Sequence, residues 1–287
     1  MSLWLISKMA APFFQNEMPP DGGKKGEIMK PVNFTAIHHS FEIQAENFES
    51  AELNFTKEEY LKYTLSRVAP DRKDMVLEVA AGTCACGRSF APLAHTVVCL
   101  DATLPMLAVG KEKADSDRMD NMIFMKGCAE ELPFLNENFD IVFSRLAFHH
   151  FPDADAAFSE MVRVLRPGGK LVLIDMEAAE EELRDTEDKI ETLRDPSHIK
   201  NMSRSEMLKL FAAHGLSVES CEKTEMRQKL KNWLALTKTP QDIQDEITER
   251  MKNDMRGKEK TGFFPYMEND EICFDQRWIL IIGRKKQ

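Results

Sequence analysis

The 287 residues contain no run of 18 apolar side chains, so no segment is long enough to cross a bilayer as a helix, and no stable membrane insertion is expected. No C-x-x-C pair is present. The six cysteines lie mostly within apolar, strand-like runs and are not spaced as a disulfide framework, which fits a reducing cytoplasm. Basic residues are the scarcer charge: 38 Lys and Arg stand against 48 Asp and Glu, a formal net charge of -10. No basic block occurs outside residues 283–286, so nucleic acid is not expected as a partner. The apolar N-terminus MSLWLISKMAAPFF has no basic region before it and is interrupted by Lys8, unlike a secretory signal. No internal repeat is visible.

Residues 1–30 read as a flexible arm, with clustered Gly, Pro and Lys in PPDGGKKGEIMK, or as sequence preceding a true start at Met29. Regularity begins at Thr56, which forms a capping box with Glu59 ahead of a helix that stops at Pro70. Apolar runs then alternate with helical patterns. Strands are expected over 75–80, 96–102, 121–127, 138–148 and 170–176, and helices over 88–93, 104–114 and 153–165. Beyond them come a charged helix over 177–193 and a helix capped by Ser203 and Glu206 and ended by Gly215. A strand over 216–221, a helix opened by Pro240 and a last strand over 277–285 complete the chain. Near-continuous apolar strands alternating with helices specify a parallel sheet covered on both faces, with ligands beyond the carboxyl ends of the strands.

The first such end is MVLEVAAGTCACG, residues 75–87. Asp101 ends the second strand 19 residues after Gly82, the spacing at which an acid meets ribose hydroxyls. In the register Gly82-Thr83-Cys84-Ala85-Cys86-Gly87, Cys84 occupies the point where a dinucleotide fingerprint needs glycine to admit a pyrophosphate. NAD and FAD are therefore disfavoured, and the lack of a following Gly-Lys-Ser/Thr excludes a P-loop. Glu78, an acid within an apolar strand, implies a cationic or amino-bearing ligand. S-adenosylmethionine has the ribose and the amino group and no phosphate. Cys84-Ala85-Cys86 lacks the spacing of a metal pair, and no metal site is expected.

Together VLEVAAGTCACG, VVCLDAT, GCAEELPFLNENFDIVFS and RVLRPGGKLVLID resemble the motifs of class I S-adenosylmethionine-dependent methyltransferases, over about residues 40–225 plus the terminal strand. SRLAFHHFPD and RDPSHIK are similar to the small-molecule branch near ubiquinone and menaquinone biosynthesis. The resemblance implies an α/β, Rossmann-like seven-stranded sheet of order 3-2-1-4-5-7-6, with strand 7 antiparallel. It divides the chain into an N-terminal lid and first helix (31–70) and a methyltransferase domain (71–287) with substrate-side insertions near 177–202 and 227–270.

It also implies site roles. Glu78, Ala80 and Gly82 belong to the cofactor loop, and Asp101 to the ribose. Ala102 and Met106 flank the adenine, Cys128 and Ala129 meet its edge, and Ser144 and Arg145 face the methionine portion. Ala80 and Cys84 replace glycines of the family motif, and Cys128 stands where an aspartate often accepts the adenine amino group.

The acceptor side offers His149 and His150 as proton-accepting groups after strand 4. Arg194 could clamp an anionic acceptor or brace the loop by pairing with a neighbouring acid, and His198 is a further candidate. Phe41 and Phe48 resemble lid aromatics, with helical core packing as the alternative. Phe263, Phe264 and Tyr266 could wall the acceptor or form a contact between two copies in a homodimer. The expected activity is methyl transfer to a small-molecule acceptor. A degenerate cofactor-binding protein and a nicotinamide-dependent dehydrogenase remain as alternatives.

Overall fold

The computed structural model describes residues 31–45, 48 and 58–287. The arm or late start expected for residues 1–30 and the Thr56 end of the capping box lie outside them. The first elements are helices α1 (Pro31–Gln44) and α2 (Glu58–Val68). The alternating half follows as β1 (Met75–Val79), α3 (Ala85–Phe90), β2 (Thr96–Asp101), α4 (Leu104–Ser116), β3 (Met122–Lys126), β4 (Phe139–Arg145), α5 (Ala154–Val164) and β5 (Leu165–Met176). The remainder is α6 (Glu181–Arg194), α7 (Arg204–Ala213), β6 (Leu216–Lys229), α8 (Leu230–Leu236), α9 (Gln241–Met255), β7 (Tyr266–Glu268) and β8 (Glu271–Lys285).

The sheet runs β3-β2-β1-β4-β5-β8-β6, with the short β7 paired onto β8. Strands β1 to β5 pair in parallel, and β8 lies antiparallel to both β5 and β6. Setting aside β7, this is the seven-stranded order 3-2-1-4-5-7-6 with an antiparallel seventh strand. The inner strands are continuous apolar runs because helices cover both faces. One face packs Leu77, Val142, Leu173 and Ile281 against α5 and α7, and the other packs Val76, Phe143 and Leu280 with Phe90. Phe90 stacks on Phe143 at 4.8 Å between ring centroids. Each such side chain removed from water stabilises the fold by about 1.5–3 kcal/mol.

Residues from the segments 177–202 and 227–270 meet in a separate cluster. Ile190 of α6, Leu230, Trp233 and Leu234 of α8, and Ile247 and Met251 of α9 bury one another with Phe263 and Phe274. Trp233, Phe263 and Phe274 form an edge-to-face triplet at 5.1–5.4 Å. This second core holds α6 over the carboxyl ends of β4 and β5, where the candidate site forms. Ser203 and Glu206 make the expected capping box at the start of α7. Pro240 is the N-cap of α9 and not its first helical residue.

Candidate active site

After Val79 the chain must leave the sheet and enter α3 within five residues. It does so with left-handed backbone at alternate positions: Ala80 (φ +55°), Gly82 (φ +53°) and Cys84 (φ +57°). Glycine would adopt this freely, whereas each Cβ there costs on the order of 1–2 kcal/mol. Three loop amides are used internally: Ala81 N donates to Leu100 O (3.0 Å), Cys84 N to Ala81 O (2.8 Å) and Gly82 N to Asp101 Oδ2 (2.7 Å). Asp101 Oδ1 accepts from Thr103 N at 2.7 Å. One carboxylate thus fastens the turn after β1 to the turn after β2. Helix α4 presses against the same loop: a Cβ on Gly110 would lie 2.5 Å from the Thr83 carbonyl oxygen.

Glu78 is 3% exposed. Its Oε2 accepts from Gly87 N (2.8 Å) and from the Cys99 thiol (3.6 Å), while Oε1 has no hydrogen-bond partner among the described residues. Burial pushes the Glu78 carboxyl up to about 8, only partly opposed by the Gly87 amide, the Cys99 thiol and the Arg145 charge. Cys84 and Cys86 are buried, burial pushes the Cys86 thiol up to about 12, and the Cys84 thiol is also raised, so neither is a ready thiolate nucleophile.

The opposite wall comes from β4, β5 and the end of α6. Asp175 is 1% exposed. Its Oδ2 accepts from Phe148 N (2.6 Å), and its Oδ1 from Met176 N (2.7 Å) and His149 Nδ1 (2.5 Å). Burial works against charge on His149, but the Asp175 carboxylate, with Glu191 and Asp195 beyond it, raises the imidazole above its ordinary value. His150 sits beside it, ring centroids 4.1 Å apart. Its Nδ1 lies 3.1 Å from both the carbonyl and the hydroxyl oxygen of Ser197. A carbonyl can only accept, and the Ser197 hydroxyl donates to Asp195 Oδ1 (2.5 Å), so the His150 proton resides on Nδ1. Burial and the neighbouring His149 charge depress His150 to about 3, leaving it neutral.

Helix α1 closes this end. Ser40 Oγ donates to Asp195 Oδ1 (2.8 Å), Gln44 Nε2 donates to Asp195 Oδ2 (3.2 Å), and Phe41 meets the His150 ring edge-on at 5.0 Å.

These elements enclose a cavity with space for water centres of about 160 Å³. Glu78, Ala80, Gly82, Asp101, Ala102, Met106, Cys128, Ala129 and Arg145 all border it, as do His149, His150, Arg194 and His198. Phe41 and Phe48 border it too.

Two expectations are corrected, and for Arg194 one of two open alternatives matches the geometry. Ser144 is fully buried in β4 and does not line the cavity, because successive strand residues face opposite ways and Arg145 takes the cavity side. Phe264 and Tyr266 border a different groove, beside Glu177, Arg204 and Arg277, with Tyr266 on β7 paired to the Cys273 end of β8. Arg194 is the loop brace and not an open anion clamp: it pairs with Glu191 Oε2 at 2.9 Å, donates to the Trp233 carbonyl and lies 4.4 Å from that indole ring. His198 likewise faces Asp188 Oδ1 at 2.8 Å through Nε2.

Sequence reasoning assigned no role to Asp175, Ser40 or Gln44. For Asp175 the signal was available: a lone acid in the apolar run LVLIDM, the same pattern that singled out Glu78.

A family model described as a methyltransferase domain matches residues 77–173. The chain is 32% identical over 213 residues to the uncharacterized methyltransferase YcgJ of Bacillus subtilis, covering 74% of this chain and 84% of that protein. The crystal structure of YcgJ superimposes with a TM-score of 0.74 at 28% identity, over 80% of this chain and 100% of that one. A ubiquinone/menaquinone biosynthesis C-methyltransferase from Shewanella frigidimarina is 30% identical over 170 residues, 57% of this chain and 64% of that protein. The fold alone is shared with a Haemonchus contortus phosphoethanolamine N-methyltransferase crystallised with S-adenosyl-L-methionine, at TM-score 0.59 and 19% identity over 86% of this chain and 57% of that one. By sequence and by architecture, this chain belongs to the methyltransferase-domain family.

Proposed function

We propose that the protein transfers a methyl group from S-adenosylmethionine to a small, largely apolar acceptor. The observation that carries this reading is the juxtaposition, around one cavity, of the Asp101-locked loop and the histidine wall. The residues fit that cofactor and fit a dinucleotide poorly. Asp101 offers a carboxylate held by two amides, suited to accept from ribose hydroxyls. Met106, Ala102, Ala129 and Leu100 give an apolar slot for a flat base. Glu78 Oε1 is available to a cationic amino group. A pyrophosphate would instead meet two acids and a loop in which the Ala81, Gly82 and Cys84 amides are already engaged.

The cofactor, when bound, supplies a methyl group on a positively charged sulfur, open to in-line displacement. The chain's residues then align the acceptor and exclude water. Helix α1, tied to Asp195 through Ser40 and Gln44, covers the acceptor side. Ile37, Phe41, Phe151, Pro152 and Leu236 make that side apolar. The similarity to the Shewanella C-methyltransferase supports a ring-bearing, quinone-like acceptor. The six cysteines are free, and on that ground we place the activity in a reducing cytoplasm; no described helix is long and apolar enough to cross a membrane.

Isothermal titration with S-adenosylmethionine, S-adenosylhomocysteine and NAD tests the reading. Binding of the first two and not the third is expected. Failure of both S-adenosyl compounds to bind would defeat it.

A further inference from the structure

Around the acceptor end of the cavity, nearly every charged group is already committed. Arg194 is paired with Glu191, and His198 faces Asp188. Asp195 accepts from Ser40, Gln44 and Ser197. Three ring nitrogens on this wall make no hydrogen bond among the described residues: the buried Nδ1 of His198, whose Nε2 is held by Asp188, and the Nε2 atoms of His149 and His150, whose rings border the cavity. The last two rings differ in what stands behind them. His150 rests its Nδ1 proton on a neutral carbonyl and hydroxyl. His149 rests its own on the Asp175 carboxylate, which two backbone amides hold in place.

Resting on the proposed methyl transfer, we infer that His149, oriented by Asp175, is the general base of the reaction and that the acceptor is a weakly acidic hydroxyl compound, a phenol or an enol. The geometry is that of a nucleophile-activating dyad: a buried carboxylate fixes the Nδ1–H tautomer and stabilises the imidazolium formed when Nε2 takes a proton. The neighbouring His150, with its proton on Nδ1, presents Nε2 as an acceptor that a second hydroxyl on the acceptor molecule can donate to.

The step balances. The acceptor O–H bond breaks, its electron pair stays on oxygen and its proton goes to His149 Nε2. The oxyanion forms a bond to the methyl carbon; where the conjugated ring carbon does so instead, the ketone formed then loses that carbon's proton to water and its oxygen regains one. The methyl–sulfur bond breaks with its pair on sulfur, giving a neutral thioether, and His149 returns its proton to water as products leave. A hydroxyl acceptor needs this base, because the neutral oxygen is a poor nucleophile. A neutral amine needs none, and a cationic one is repelled by protonated His149.

The groups facing His149 are Asp175 from β5, Glu191 and Arg194 from α6, Asp195 and His198 from the following loop, and the adjacent His150. The carboxylates outweigh burial, so His149 holds its proton to a higher pH than a free imidazole. Base activity therefore appears as pH rises through a midpoint above the ordinary histidine value of 6.5.

The test uses the protein loaded with S-adenosylhomocysteine and a chromogenic phenol, 4-nitrophenol, whose phenolate absorbs visible light. Wild type is expected to ionise the bound phenol at a pH below the phenol's own midpoint in water. His149→Gln is expected to abolish this, and Asp175→Asn to move the midpoint of turnover with phenol acceptors to lower pH. Binding of S-adenosylhomocysteine by each variant, measured first, certifies a folded site and separately tests the methyltransferase reading. Three results would overturn the inference while leaving that reading standing: no ionisation of the phenol by cofactor-loaded wild type, an unmoved midpoint in Asp175→Asn, or transfer to amines or thiols with phenols and enols inert.

Discussion

Replacing Gly87 by alanine sets two physical effects against each other. Gly87 lies in helix α3, where alanine is intrinsically favoured over glycine by about 1 kcal/mol. The added Cβ, however, would lie 2.5 Å from Glu78 Oε2, 2.6 Å from Cys99 Sγ and 3.4 Å from Val97 Cγ1. None of the three can retreat cheaply. Glu78 is bound to the Gly87 amide itself, Cys99 is fully buried on β2, and Val97 is fully buried two residues before it. Overpacking of this kind costs about 1–3 kcal/mol, and a displaced Glu78 loses a buried hydrogen bond worth on the order of another 1–2 kcal/mol. The net expectation is a loss of about 1–4 kcal/mol, or roughly 2–7 °C in Tm for a chain of this size. Because the carboxyl that must move borders the cavity, S-adenosylmethionine affinity is expected to fall as well. Differential scanning calorimetry with titration of the same samples reads both. A higher Tm with unchanged affinity would show that helix preference wins and that Glu78 is not wedged against this helix.

Glu78→Gln should match wild type in stability below about pH 4.5, where the carboxyl is protonated folded and unfolded alike, and should be the more stable at pH 7, where only the unfolded wild type ionises Glu78. In wild type the folded protein keeps this proton between about 4.5 and about 8, so stability falls as pH rises through that window; in the glutamine variant this decline should be absent from thermal melts. Binding a cationic amino group should ionise Glu78, so wild-type titrations at pH 7 in buffers of differing ionisation enthalpy should report proton release that Glu78→Gln abolishes. Asp195→Ala removes the acceptor of both Ser40 and Gln44, and limited proteolysis within residues 31–45 should accelerate several-fold without loss of the main thermal transition. Ser144→Ala should be neutral or slightly stabilising in melts, because its buried hydroxyl has no hydrogen-bond partner.

The parallel half of the sheet was legible because burial on both faces leaves apolar runs such as VVCLD and FDIVFS that admit little else. The glycine loop was legible through spacing: Gly82 and Asp101 were paired by a 19-residue separation, and a 2.7 Å hydrogen bond joins them. Strand β6 was expected to stop at Cys221, but it runs to Lys229. Its outer half, EKTEMRQK, alternates exposed charge with single buried residues and has no apolar run. The short helix α8 and strand β7 are stabilised by the insertion cluster around Trp233 and by β8, contacts made across the fold that local pattern does not carry.

The acceptor side was legible in residue type and less so in connection. His149 and His150 were singled out by their place after β4, but which of them is backed by a carboxylate depends on Asp175, 26 residues away on the neighbouring strand. Phe264 and Tyr266 were expected to wall the acceptor or to form a contact between copies, and the pairing of β7 with β8, which local pattern does not carry, puts them on another groove.

Equilibrium dialysis of labelled S-adenosylmethionine against wild type, Asp101→Ala and Ser144→Ala tests the central claim most directly. The account predicts binding by wild type, affinity weaker by about 10- to 100-fold in Asp101→Ala from the loss of a charged hydrogen-bond acceptor, and unchanged affinity in Ser144→Ala. Absence of binding by wild type, or equal affinity in wild type and Asp101→Ala, would contradict it.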